Sequence, residues 1–123
     1  MPDPRPTVLI VDDHAGFRRR VRAVLEDEGY DVVGEAPDGE TAIRLATDLS
    51  PDVVLLDVVL PGVDGFETCD RLVPGGVGPA VVLTSTYDPS MFRDRIAASR
   101  ARGFLPKSEI SGPVLDHLAG RTR

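Results

Sequence analysis

The sequence predicts an α/β fold, a parallel β-sheet with helices packed on both faces. Two observations point there. Short apolar runs rich in β-branched residues alternate with helix-length amphipathic stretches along the whole chain. The 123 residues are 41% hydrophobic and 28% charged, the balance of one folded domain rather than of a disordered segment. Right-handed crossovers leave few ways to wind such a chain.

Each element has its own signal. Thr7–Val11 (TVLIV) reads as the first strand. From His14 to about Gly29 a helix follows, with Phe17, Val21, Val24 and Leu25 at helical spacing and Gly29 as its stop. Val32–Val33 starts a weaker second strand. Asp38 caps a helix to about Leu49, whose stripe is Ala42, Ile43, Ala46 and Leu49. Pro51 resets the chain. Asp52–Leu56 (DVVLL) is continuously apolar after its first residue, as strands buried on both faces are. Asp64–Leu72 reads as a third helix and Pro74–Pro79 (PGGVGP) as a loop. Ala80–Thr84 (AVVLT) is the fourth strand, and Ser90–Ala101 a fourth helix with Phe92, Ile96 and Ala97 inward. Gly103–Leu105 forms a short fifth strand, placed at an edge because Pro106 removes a ladder donor. Pro113–Ala119 ends the chain as a short helix.

Composition narrows the function. A net charge of −6 argues against nucleic acid as a direct ligand, because phosphate backbones need basic surface. A single cysteine, Cys69, excludes a disulfide framework and a Cys-rich zinc site. His14 and His117 stand far apart in sequence and make a poor metal-ligand set. The opening Met1–Pro6 lacks the apolar core of a signal peptide, and no apolar run approaches a membrane span. A cytoplasmic protein without membrane attachment is expected. No Gly-Lys-Ser/Thr ending closes the glycine-rich loop, and no Gly-x-Gly-x-x-Gly follows the first strand, so nucleotide cradles are not expected.

The chemistry gathers at strand ends, where open α/β sheets bind ligands. The first strand ends in Asp12–Asp13, the third in Asp57, the fourth in Thr84–Ser85, and the fifth just before Lys107. Two carboxylates ~4 Å apart repel by about 4 kcal/mol at an effective dielectric of roughly 20, so three together need a cation. Oxygen ligands suit Mg²⁺, which keeps several waters. A carboxylate beside it can act as nucleophile toward a phosphoryl group and form an acyl phosphate. Lys107 would neutralise one phosphoryl oxygen and a strand-four hydroxyl would hydrogen-bond another. Lys107 is the only lysine among 14 basic residues, which favours a site that wants a compact point charge.

VLIVDDH (Val8–His14), VVLLDVVLPGVDGFE (Val53–Glu67), VVLTST (Val81–Thr86) and GFLPK (Gly103–Lys107), in this order and spacing, resemble the receiver domain of two-component response regulators. The resemblance covers residues 6–119, with no effector segment in the sequence given. It implies a flavodoxin-like (βα)5 doubly wound parallel sheet with strand order 2-1-3-4-5. It also implies Mg²⁺-dependent phosphoryl transfer to an aspartate from a histidine kinase or a histidine phosphotransfer protein. Position by position, Asp57 matches the phosphoacceptor, and Asp12 and Asp13 the acidic pair that holds Mg²⁺. The backbone carbonyl of Val59 would be a further metal ligand beside Asp57. Thr84 matches the switch hydroxyl, with Ser85 and Thr86 as rivals for that role. Phe104 matches the switch aromatic, and Lys107 the phosphoryl-binding lysine. Pro61–Gly62 and Asp64–Gly65 match the loop after the phosphoacceptor, whose glycines can take backbone angles other residues resist.

The resemblance further implies a readout face carrying Phe92, Arg93, Ile96, Leu105 and the final helix, and leaves open a homodimer through it. Some features resemble the NarL/LuxR-type subfamily, whose members often carry a DNA-binding domain. Three positions depart from the pattern. Ser108 stands where a proline often follows the lysine, which leaves that peptide's isomer open. Arg100 replaces a frequent glycine, and Val59 puts an apolar residue where dephosphorylation is tuned. Two rivals remain: a phosphate-independent receiver module, and a haloacid-dehalogenase-type phosphatase, whose aspartates are spaced Asp-x-Asp rather than adjacent. Arg18–Arg20 and Arg22 read as a solvated helix face or as a phosphodonor-docking one, and Cys69 as a small helix residue.

Overall fold

The computed structural model describes residues 5–120, so Met1–Pro4, the start of the stretch read for a leader, lie outside the described residues. Five parallel strands form one sheet in the order β2-β1-β3-β4-β5. They are β1 (Thr7–Val11), β2 (Asp31–Ala36), β3 (Val53–Asp57), β4 (Ala80–Ser85) and β5 (Gly103–Pro106). The helices are α1 (Ala15–Asp27), α2 (Gly39–Leu49), α3 (Gly65–Leu72), α4 (Arg93–Ala98) and α5 (Gly112–Leu118). This is the doubly wound flavodoxin-like arrangement, with β5 at one edge as Pro106 suggests.

Alternation along the strands divides the core into two layers. Leu9, Val11, Val54, Leu56, Val81 and Leu83 pack with α2 and α3. Val8, Ile10, Val53, Leu55, Val82 and Leu105 pack with Leu25 of α1 and Leu115 of α5. Every residue of β3 is buried, which explains its unbroken apolar run.

Caps set the helix starts. Asp38 accepts the Thr41 N–H at 2.7 Å, and Asp64 the Glu67 N–H at 2.9 Å. Two elements differ from expectation. Strand β2 starts one residue before Val32 and runs three residues past Val33, to Ala36, and it carries a bulge: Val8 pairs with Val32, but Leu9 pairs with Gly34. The fourth helix is shorter than Ser90–Ala101. Pro89–Phe92 is a 3-10 turn, and Ser99 ends α4 by donating its hydroxyl to the Ile96 carbonyl. The Pro74–Pro79 loop contains one 3-10 turn, Pro74–Gly76.

Candidate phosphoryl-transfer site

The carboxyl ends of β1, β3 and β5 meet at one cleft. Asp12 and Asp57 end buried strands and are themselves buried, at 0% and 4% exposure. Lys107 reaches between them from beyond β5. Its Nζ lies 2.5 Å from Asp12 Oδ2 and 2.9 Å from Asp57 Oδ2. The same ammonium stands 4.3 Å from the centre of the Phe17 ring, a cation–π contact that holds it over the cleft. The Lys107–Ser108 peptide is trans.

Two carboxylates share this one cation, and their titration splits accordingly. Burial pushes Asp12 up, but Lys107 and the His14 backbone N–H outweigh it and hold Asp12 below the usual aspartate value. Burial pushes Asp57 up, and the Val59 N–H and Lys107 recover only part of that, leaving it above its ordinary value. For Lys107, burial works downward, yet its two carboxylate partners raise it overall.

The other sequence-predicted residues take distinct places. Asp13 is half-exposed and lines the cleft with Asp57 and Lys107; the cleft encloses about 520 Å³. Val59 donates its N–H to Asp57 Oδ1 at 3.0 Å. Thr84 pairs with Asp57 in register, but its hydroxyl points the other way and donates to the Leu105 carbonyl at 2.6 Å. Ser85 and Thr86 line the cleft instead. Ser85 Oγ is already engaged by the Tyr87 N–H at 3.0 Å. Phe104 is half-buried in the layer that holds Phe92 and Ile96.

Gly62 takes a positive φ of 73°, as the loop reading required. Gly65 is needed for a different reason: a Cβ there would lie 2.3 Å from the Asp57 carbonyl oxygen. Cys69 is buried, and burial pushes its thiol up to about 11, the value of an inert core residue.

Two residues, Phe17 and His14, escaped the sequence reading of the site. Phe17 packs on the core as its place in the stripe implied, and its ring also faces Lys107. His14 Nδ1 lies 3.1 Å from Asp13 Oδ1, and ligand atoms of Asp12, Asp13 and His14 fall within 4.8 Å of one another. Arg20, one of the α1 arginines with two alternative readings, lines the cleft. The signal for Phe17 and His14 was proximity in sequence to Asp12–Asp13.

The donor set fits a hard divalent cation. Three carboxylates gather at this cleft, and the only ammonium in ion-pair contact with them among the described residues is that of Lys107. Asp12 Oδ2 is buried without a hydrogen bond of good geometry, its charge met only by the nearby ammonium. Oxygen donors with room for water are what Mg²⁺ selects.

Comparison with known proteins agrees with this fold. Residues 8–118 match the family model described as response regulator receiver domain. The nitrate/nitrite response regulator protein NarP of Escherichia coli (strain K12) is 41% identical over 120 residues, 96% of this chain and 56% of that protein. The transcriptional regulatory protein LiaR of Bacillus subtilis (strain 168) is 36% identical over 118 residues, 94% of this chain and 56% of that one. Among solved structures, the signal receiver domain of the provisionally assigned response regulator NarL from Mycobacterium tuberculosis superposes with a TM-score of 0.83. It is 35% identical and covers 97% of this chain and 100% of its own. The chain spans about half the length of the curated relatives it matches.

Proposed function

The chain belongs to the response regulator receiver domain family, and from that premise we propose that residues 6–119 are a phosphorylation switch whose phosphoacceptor is Asp57. The donor is a phosphohistidine on a histidine kinase or a histidine phosphotransfer protein, in a cytoplasmic two-component pathway. No helix among the described residues is long and apolar enough to cross a membrane. The observation that carries the proposal is the Lys107 ammonium bridging the two buried carboxylates of Asp12 and Asp57.

The reaction is an in-line displacement. A carboxylate oxygen of Asp57 attacks the phosphorus, the P–N bond of the donor breaks, and its electron pair stays on the imidazole nitrogen. Asp12, Asp13, Asp57 and the Val59 carbonyl would hold Mg²⁺, which when bound supplies charge neutralisation for the approaching phosphoryl oxygens. Lys107 provides the second positive charge from a fixed position over Phe17. The Val59 N–H fixes the orientation of the Asp57 carboxylate. This chain turns over no substrate of its own beyond its aspartyl phosphate.

The switch is a population shift. The Thr84 hydroxyl, bonded to the Leu105 carbonyl in this conformation, leaves that acceptor for a phosphoryl oxygen on Asp57. Phe104 follows into the space vacated, and the face of α4, β5 and α5 changes its partner preference. Phe92, Arg93, Ile96 and Leu105 carry that readout. A second copy of the chain is one candidate partner for it; nucleic acid is not, given the net charge of −6. An intact acidic cluster with its lysine favours this cycling reading over a phosphate-independent module, and the adjacent Asp12–Asp13 pair disfavours a haloacid-dehalogenase-type phosphatase.

The site assignment is tested by incubation with acetyl phosphate, reductive trapping of the acyl phosphate with borohydride, and peptide mapping. Label at Asp57 is expected. Label at Asp12 or Asp13 instead would overturn the assignment.

A further inference from the structure

The arginines of α1 are not one solvated face. Arg19 and Arg20 are exposed, whereas Arg18 and Arg22 fold back toward the sheet. Arg18 Nη1 donates to the Asp12 backbone carbonyl at 2.5 Å, and its Nε donates to Glu35 Oε1 at 3.0 Å. Arg22 Nη1 holds the other Glu35 oxygen at 2.9 Å. The Arg18 side chain is 16% exposed and that of Glu35 26%, so the contacts are shielded from competing water.

Glu35 reaches Arg18 only because of the bulge in β2. The extra residue, Val33, reverses the alternation, so Gly34 and Ala36 face α2 while Glu35 pairs with Ile10 on the α1 face. Without the bulge, Glu35 would point into the opposite layer.

The carbonyl that Arg18 grips belongs to the peptide joining Asp12 to Asp13. The Asp12 N–H is tied to the Ala36 carbonyl at 3.0 Å, and Asp12 Oδ1 accepts the His14 N–H at 2.8 Å. Arg18 supplies the remaining restraint, on the plane that decides where the Asp13 carboxylate stands. A guanidinium fork can serve two acceptors in fixed directions at once, which an ammonium cannot.

We propose that Arg18, held by Glu35 across the β2 bulge, is a positioning residue that presets the Asp12–Asp13 turn for Mg²⁺ and so sets the affinity of the site for that ion. It acts through the backbone of a ligand residue and does not touch the ion. The inference rests on the metal reading of the preceding section. Groups that orient metal ligands from behind typically contribute ten- to a hundredfold in affinity.

The test is a Mg²⁺ titration of the full chain followed by backbone amide chemical shifts, with a thermal melt of each variant. Arg18→Ala is expected to weaken Mg²⁺ binding about tenfold, and Arg18→Lys by a similar factor although it keeps the charge. Glu35→Ala is expected to weaken it by about threefold, because Arg18 then keeps its carbonyl contact but loses its anchor. Arg71→Ala, which removes one positive charge from α3 away from the cleft, stays within about twofold and controls for net charge. Arg18→Lys carries the test if Arg18→Ala does not fold. Arg18→Lys binding Mg²⁺ within twofold of the wild type overturns the inference alone. Absence of Mg²⁺ binding in the wild-type chain overturns both the inference and the metal reading beneath it.

Discussion

Replacing Lys107 by Met removes the one cation that two buried carboxylates share, while keeping a stem of similar length. At an effective dielectric of roughly 20, an ammonium 2.5 Å from Asp12 Oδ2 and 2.9 Å from Asp57 Oδ2 is attracted by about 6 kcal/mol to each. Most of that attraction offsets the cost of desolvating all three groups. Breaking a buried pair by removing one partner leaves a net loss of about 3–5 kcal/mol. Taking about 3 kcal/mol for this cluster, which opens onto a cleft, the melting temperature at neutral pH falls by about 12 °C for a chain of this size.

The loss depends on pH with a definite sign. In the wild type, Asp12 titrates below its ordinary value, so its contribution to stability is present above the unfolded value and fades as pH falls through the folded one. Without Lys107, burial pushes both carboxyls up, opposed in part by the backbone N–H groups of His14 and Val59. Stability is then retained below the ordinary carboxylate range and lost as pH rises through the raised folded values. The Lys107→Met variant therefore recovers toward the wild type on acidification from pH 7 to pH 5, and Mg²⁺ restores part of the loss at pH 7. Differential scanning calorimetry across that range, with and without Mg²⁺, reads both effects. A variant that melts within 2 °C of the wild type at every pH would refute the shared-cation account.

The remaining predictions touch other parts of the same argument. Asp57→Asn relieves the surplus carboxylate, whose raised folded value means that ionisation opposes folding as pH rises, so the variant gains on the order of 1 kcal/mol at pH 7 by urea denaturation; a loss of stability would contradict the charge balance drawn here. Tyr30→Phe deletes a buried hydroxyl that donates to Asp116 Oδ1 at 2.5 Å, tying the start of β2 to α5, and costs about 1.5–3 kcal/mol; a change under 0.5 kcal/mol would mean the bond contributes nothing net. Gly65→Ala drives a Cβ to within 2.3 Å of the Asp57 carbonyl oxygen, so the loop after Asp57 must shift; a loss of about 1–3 kcal/mol and slower labelling by acetyl phosphate are expected, and an unchanged labelling rate would show the loop yields freely.

Much of this fold is legible because its determinants are local. The apolar runs of β1, β3 and β4 are buried on both faces, and nothing in their sequence competes with that reading. Asp38, Asp64 and Pro106 announce a cap, a cap and an edge by their own chemistry. The site followed from the strand ends, since a doubly wound sheet brings those ends together. What escaped was non-local. Gly34 and Glu35 disguise the second half of β2, because a bulge is fixed by pairing with β1 and not by propensity. The fourth helix breaks at Pro89–Phe92, a 3-10 turn capped by Asp88, whose last residue packs against Phe66 and Tyr87. The direction of the Thr84 hydroxyl depends on an acceptor twenty-one residues away. Arg18 looked like part of a charged stripe because its partners lie elsewhere in the fold, Asp12 just past β1 and Glu35 within β2.

The central claim is that Asp57 accepts a phosphoryl group with the help of Mg²⁺. It is tested most directly by the intact mass of the protein after incubation with acetyl phosphate, with Mg²⁺ and with EDTA, alongside Asp57→Asn. The account predicts a gain of one phosphoryl group in the wild type with Mg²⁺, and none with EDTA or in the variant. A folded wild-type protein that binds Mg²⁺ and gains no mass, or an Asp57→Asn variant that gains it as readily, would contradict the claim.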